Sequence, residues 1–175
     1  MVLIAAGCAG APPSAAPAPP SSPPPGPPAA ADHDAPQGTS APTGTVVVSV
    51  TGFRKGPGSS PTGDAKGQVL IAVFASKAGF PDRGKFAARR VATHITNGRA
   101  RARFDHLPAG DYAIAILHDE NGNFEMDTGL FGIPKEGYGA SNDARGHFGP
   151  PKWKDARFTV AAGATVTQNL RITYP

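Results

Sequence analysis

The chain holds a single cysteine, Cys8, among 175 residues. That shortage excludes an intrachain disulfide and any zinc site built from several cysteines. A run of about 20 apolar residues is also missing, so no segment reads as a membrane-spanning helix. The motifs HExxH, GxSxG and the phosphate-binding P-loop are absent, which leaves metalloprotease, serine-hydrolase and nucleotide chemistry without their usual sequence carriers. Charge is nearly missing from the first 44 residues, where Asp32 and Asp34 are the only charged side chains.

What those 44 residues contain instead is proline, alanine and serine: twelve of the twenty prolines precede Val46. Met1 to Gly10 is short and apolar, with small residues ahead of Cys8. It resembles the end of a bacterial lipoprotein signal, in which such a cysteine becomes lipidated. A positively charged n-region is lacking and the apolar stretch is short for a signal; a start inside a longer signal explains both departures. The alternative is an ordinary N-terminus with an incidental cysteine. Residues 9–44 bury too little apolar surface to offset the entropy of ordering, and read as an unfolded tether. At about 3.1 Å per residue in extended polyproline form, it reaches on the order of 100 Å. The expected organisation is a truncated lipoprotein-type signal over 1–8, a disordered tether over 9–44 and one folded domain over 45–175. The expected location is extracytoplasmic, in the envelope or periplasm, with membrane contact only through a lipid on Cys8.

All 17 Lys and Arg residues lie in the domain, against 11 of the 13 acids. The basic balance is spread rather than clustered. Arg99, Arg101 and Arg103 alternate with Ala100, Ala102 and Phe104, placing the arginines on one face of a strand. No aromatic residue is interleaved with them to stack bases, so no nucleic-acid partner is expected.

Alternating or doubly apolar segments at 45–51, 68–74, 90–95, 99–104, 112–117, 155–160 and 164–174 predict seven strands. Asn97-Gly98 predicts a hairpin joining the third and fourth. Leu107-Pro-Ala-Gly-Asp-Tyr112 looks like a tyrosine corner, whose hydroxyl bonds to backbone a few residues upstream. With no long helix, the pattern predicts an all-β chain: a single Ig-like or transthyretin-like Greek-key β-sandwich with one long Gly-rich loop after Thr128. That loop carries Phe131, Ile133, Tyr138, Phe148 and Trp153, too many apolar side chains for disorder.

The densest chemistry begins at the end of the fifth strand. Asp119, Asn121, Asn123 and Asp127 fall at positions 1, 3, 5 and 9 of a loop, and Glu125 at position 7 adds a carbonyl. Oxygen at alternate residues of a curled loop suits Ca²⁺. The match to an EF-hand loop is partial, because position 6 is Phe124 rather than Gly and position 12 is Leu130 rather than Glu. Asp and Asn also populate tight turns without any ion. The expectation is therefore a weak Ca²⁺ site at Asp119, Asn121, Asn123, Glu125 and Asp127, or turn chemistry alone. Around it, His118, Glu120, Glu136, Tyr138, Ser141, Asn142 and Trp153 are candidate loop or binding residues.

Phe104-x-x-Leu107-Pro108-Ala109-Gly110-x-Tyr112, His118-Asp119-Glu120-Asn121-x-Asn123, Asp127, Gly132-Ile133-Pro134-x-Glu136-Gly137-Tyr138-Gly139-x-Ser141-Asn142 and Phe148-Gly149-Pro150-Pro151 resemble a bacterial family of secreted proteins of unknown function. The resemblance covers about residues 45–175. It implies one β-sandwich outside the cytoplasm and brings no activity with it.

The leading expectation is a non-enzymatic, envelope-anchored module whose 118–153 segment forms a binding surface for a glycan, a peptide or another envelope protein. The first alternative is a metal-dependent hydrolase using His118, Glu120 and His147, although His118 and Glu120 are expected to diverge at the strand end. A trio of Asp119, His118 and Ser141 can also be drawn. The second alternative is a purely structural domain.

Overall fold

The structure is a computed structural model that describes residues 41–56, 64–146 and 149–175. Cys8, most of the tether, His147 and Phe148 lie outside the described residues. In chain order the strands are β1 (Thr43–Thr51), β2 (Gln68–Phe74), β3 (Arg89–His94), β4 (Ala100–Pro108), β5 (Gly110–Asp119), β6 (Gly137–Ala140), β7 (Phe158–Val160) and β8 (Thr165–Arg171). One helical turn, α1 (Trp153–Ala156), precedes β7.

Valine at every second position gives β1 one wholly buried face, made by Val46, Val48 and Val50. Side chains branched at Cβ favour the pleated strand and pack well on it. β1 lies at the centre of a three-stranded sheet, antiparallel to β4 and parallel to β8. The second sheet runs β3-β2-β5-β6, with β7 paired to β5. Val69, Ile71 and Val73 of β2 and Ile114 and Ile116 of β5 meet the β1 valines, Phe104, Leu107 and Leu170 in one core. This is the all-β sandwich that the alternation predicts.

Three details differ from the sequence reading. Asn97 and Gly98 do form a tight turn, both at positive φ, but the turn closes a single Thr96–Arg99 bridge. β3 then joins β2 and β4 joins β1, so the turn carries the chain between sheets instead of building a hairpin. Second, the long Gly-rich loop is interrupted by β6. Its Gly-Tyr-Gly-Ala sequence has little strand propensity, yet the glycines are required by close packing. A Cβ at Gly137 would collide with Ile172 and Tyr174, and one at Gly139 would lie 2.7 Å from the Arg171 carbonyl oxygen. Third, residues 153–156 turn helically, so the strand expected from 155 begins at Phe158.

Beyond β8 the chain crosses to the second sheet: Thr173 and Tyr138 exchange both backbone hydrogen bonds, at 2.8 and 2.9 Å. The tyrosine corner is present. The Tyr112 hydroxyl donates to the Pro108 carbonyl at 2.7 Å, across a bend where His106 takes φ 57° and the pairing with β1 shifts register. Tyr112→Phe deletes this donor and takes a partner from the Pro108 carbonyl, and is expected to cost about 1–1.5 kcal/mol in thermal or urea unfolding. An unchanged midpoint would show that the corner is only a packing contact.

Candidate functional site

β5 ends by burying a carboxylate. Asp119 is inaccessible to solvent, and its two oxygens accept four hydrogen bonds. Gln68 Nε2 donates to Oδ2 at 2.9 Å and the Phe124 amide to the same oxygen at 3.0 Å, while the Gly122 and Asn123 amides donate to Oδ1 at 2.7 and 3.2 Å. Burial pushes the Asp119 carboxyl up, but the four donors together outweigh it and hold the group below the usual carboxylate range. The loop curls around this carboxylate because the chain there can turn: Gly122 and Phe124 take φ 81° and 64°. Phe124 thus adopts the left-handed conformation that glycine has at the equivalent place of a calcium loop.

The other predicted ion ligands meet one another. Asn121 and Asn123 donate their amide groups to opposite oxygens of Asp127, at 2.6 and 3.1 Å, and their carbonyl oxygens accept the Asn123 and Glu125 amides. The Glu125 side chain is exposed. Buried Glu136 ties the loop off at its base, taking the Glu120 amide on Oε1 at 2.9 Å and the Asp127 amide on Oε2 at 3.1 Å. The side-chain oxygens of Asp119, Asn121, Asn123 and Asp127 are therefore all engaged by protein donors, and Glu125 alone of the expected ligands has its carboxylate in solvent.

From that base a short finger projects. Thr128 and Pro134 bridge, the Lys135 amide donates to the Asp127 carbonyl, and the Gly129 amide donates to the Ile133 carbonyl at 2.7 Å. Its apex is apolar and in water: Leu130 is 83% exposed, Phe131 97% and Ile133 56%. Phe131 is at φ 62°, a left-handed conformation that costs a non-glycine residue about 1–2 kcal/mol.

His118 lies beneath, 1% exposed. Its Nε2 faces the Lys66 carbonyl at 2.8 Å, which can only accept, so Nε2 is the donor there. Nδ1 and the Tyr174 hydroxyl share a hydrogen bond at 2.7 Å, and the hydroxyl oxygen accepts the Arg54 amide at 3.0 Å. Burial raises the Tyr174 hydroxyl above its ordinary value, which keeps it a donor. Arg54 continues the chain of contacts: Nε donates to Glu120 Oε1 at 2.8 Å, an η nitrogen to the Lys135 carbonyl, and the guanidinium stacks 4.5 Å above the Tyr174 ring. The expected divergence of His118 and Glu120 does not occur. Residues two apart on an extended strand face the same way, and the two approach to 3.6 Å. His147, their expected companion, lies outside the described residues.

Ser141 and Asn142 belong to a different joint. The Ser141 hydroxyl, inaccessible, accepts the Ile114 amide and donates to the Ala156 carbonyl at 2.6 Å. Asn142 donates to the Asp155 and Arg157 carbonyls. Neither serves His118 or Asp119, so the trio of Asp119, His118 and Ser141 is not assembled. Trp153 packs edge-on against Phe80, at 5.8 Å, and Phe80 against Phe74.

The outer face of the second sheet carries a groove of about 1120 Å³. Its floor is a row of paired residues, Ala92, Leu70, Leu117 and Tyr138, on four neighbouring strands. Phe124, Met126, Gly132 and Pro134 bring the finger to its edge, with Asp82 and Arg90 also lining it. Burial raises the Asp82 carboxyl, against the opposing pull of Arg83.

Residues 62–168, a span containing β2 to β7, the loop, the finger and most of the groove, match a family described as uncharacterized protein conserved in bacteria (DUF2141). The chain belongs to that family. No curated protein and no solved structure matches it.

Sequence reading found the loop residues but missed Arg54, Gln68 and Tyr174. They lie 51 to 66 positions from the groups they serve, and no local pattern announces such a partner. Asp119→Ala leaves three backbone donors and Gln68 without their acceptor, and is expected to cost about 3 kcal/mol. Because the folded carboxyl is held low, its contribution is complete above the unfolded value of about 4. It fades as pH falls through the lower folded value. Unfolding measured from pH 7 to 2 should therefore show wild type and Asp119→Ala converging on acidification; a constant gap would contradict the assignment.

Proposed function

We propose that this domain is a non-enzymatic binding module of the bacterial envelope, held there through Cys8 and the proline-rich tether, with the 118–153 segment as its binding surface. One observation carries the reading: Phe131 stands almost fully in water, at the apex of a finger ordered by its own hydrogen bonds and in a conformation that disfavours it. Large apolar side chains held rigid in solvent are the usual anchors of recognition. The adjoining groove, with Leu70, Leu117 and Tyr138 on its floor and Asp82, Arg90 and Glu125 among its lining, favours a peptide or protein ligand over a glycan.

A metal-dependent hydrolase at His118, Glu120 and His147 is the weaker reading. His118 is shut away from solvent and both of its nitrogens are committed, to Lys66 and Tyr174. Calcium also has a smaller part than the oxygen spacing suggests. An ion at Asn121, Asn123 and Asp127 would compete with hydrogen bonds that already order the loop, and Asp119 has no free lone pair to offer.

Two measurements test these statements. Peptide and glycan arrays probed with wild type should give ligands whose binding weakens at least about tenfold in Phe131→Ser, the loss typical of an aromatic hot spot. Binding indifferent to the finger would remove the carrying observation. Thermal unfolding in millimolar Ca²⁺ is expected to match that in EDTA within about 2 °C. A rise near 10 °C, as a saturated native-state site would give, would restore the ion to the loop.

A further inference from the structure

We propose that the partner of this surface is a second copy of the chain: the Leu130–Ile133 tip of each copy seats in the groove of the other. The inference rests on the binding-surface reading and names its occupant.

The chain carries both halves of the contact. The tip is an apolar knob of Leu130, Phe131 and Ile133, and the groove is a hollow with Leu70, Leu117 and Tyr138 on its floor and Asp82, Arg90 and Glu125 among its lining. The two also share one face, since Gly132 and Pro134 of the finger themselves line the groove. Their arrangement selects the symmetry. A knob and a hole on opposite faces would add copies head to tail without end, whereas a knob beside its hole is satisfied reciprocally by a two-fold axis that closes at two copies.

The size is right for a stable pair. Leu130, Phe131 and Ile133, exposed to 83, 97 and 56%, present roughly 400 Å² of side chain, and a two-fold pair buries that tip and a matching stretch of groove on each copy, roughly 800 Å² a side as in a standard interface. The finger needs little ordering on association, because its backbone bonds are already internal. Entry of a preformed side chain avoids much of the entropy that a flexible loop would lose.

The test is sedimentation velocity of the full chain under reducing conditions, from low micromolar to submillimolar concentration. Two variants at exposed positions accompany it: Phe131→Ser removes the knob and Ala92→Glu blocks the hollow. Wild type should dimerise reversibly, and each variant should weaken dimerisation about tenfold or more, with the monomer's unfolding midpoint, read at concentrations too low for pairing, unchanged. Mixing the two variants should restore part of the association, because the knob of one chain and the hollow of the other remain intact. A monomer throughout, or a dimer indifferent to both substitutions, overturns the proposal. So does flotation of a monomer with phospholipid vesicles that is lost in Phe131→Ser, which would assign the tip to a bilayer. A monomer that still binds an array ligand through Phe131 leaves the binding-module reading standing and removes only the second copy.

Discussion

Two buried carboxylates organise everything distinctive about this domain. Asp119 and Glu136 face a loop whose amides have no strand or helix to pair with, and between them they accept five backbone donors and one side-chain amide. A buried amide without an acceptor is costly, so a loop of this shape exists only where acceptors wait for it. Charged acceptors form the stronger hydrogen bonds. Asp119 is fixed to the end of β5 by the sheet itself, and Glu136 sits one residue before β6. The curl of residues 120–127 and the finger beyond it hang from these two points.

The sandwich was legible because its signal is local. Alternating valines, doubly apolar strands and the Leu-Pro-x-Gly-x-Tyr corner each act within a few residues, and each appears where the pattern placed it. What failed needed information from elsewhere in the chain. Asn97-Gly98 specifies a turn but not which strand its flanks will choose, and β2 and β1 outbid the local hairpin with longer ladders. β6 is invisible to propensity because its glycines answer to Ile172, Tyr174 and Arg171, more than thirty residues away.

The same distinction divides the site. Acids and amides clustered between 119 and 127 marked a curled loop, and a curled loop is there. Whether their oxygens point toward an ion or toward backbone amides depends on φ at Gly122 and Phe124 and on Gln68, and spacing alone does not encode either. The apolar character of residues 130–133 was equally plain. That these side chains face water follows only from the Asp127–Lys135 and Thr128–Pro134 contacts, which turn the segment outward.

The central position of β1 has a mechanical consequence. The preceding chain enters at Thr43, whereas Phe53 and Arg54, just past the other end of the strand, touch His118, Glu120 and Lys135. The chain entry at Thr43 and the base of the finger thus stand at opposite ends of one strand about 30 Å long. Tension between them runs along β1, which is flanked on both sides by ladders to β4 and β8. Such a load shears two rows of hydrogen bonds together instead of unzipping them one by one. The domain is therefore built to stay folded while its far end is pulled.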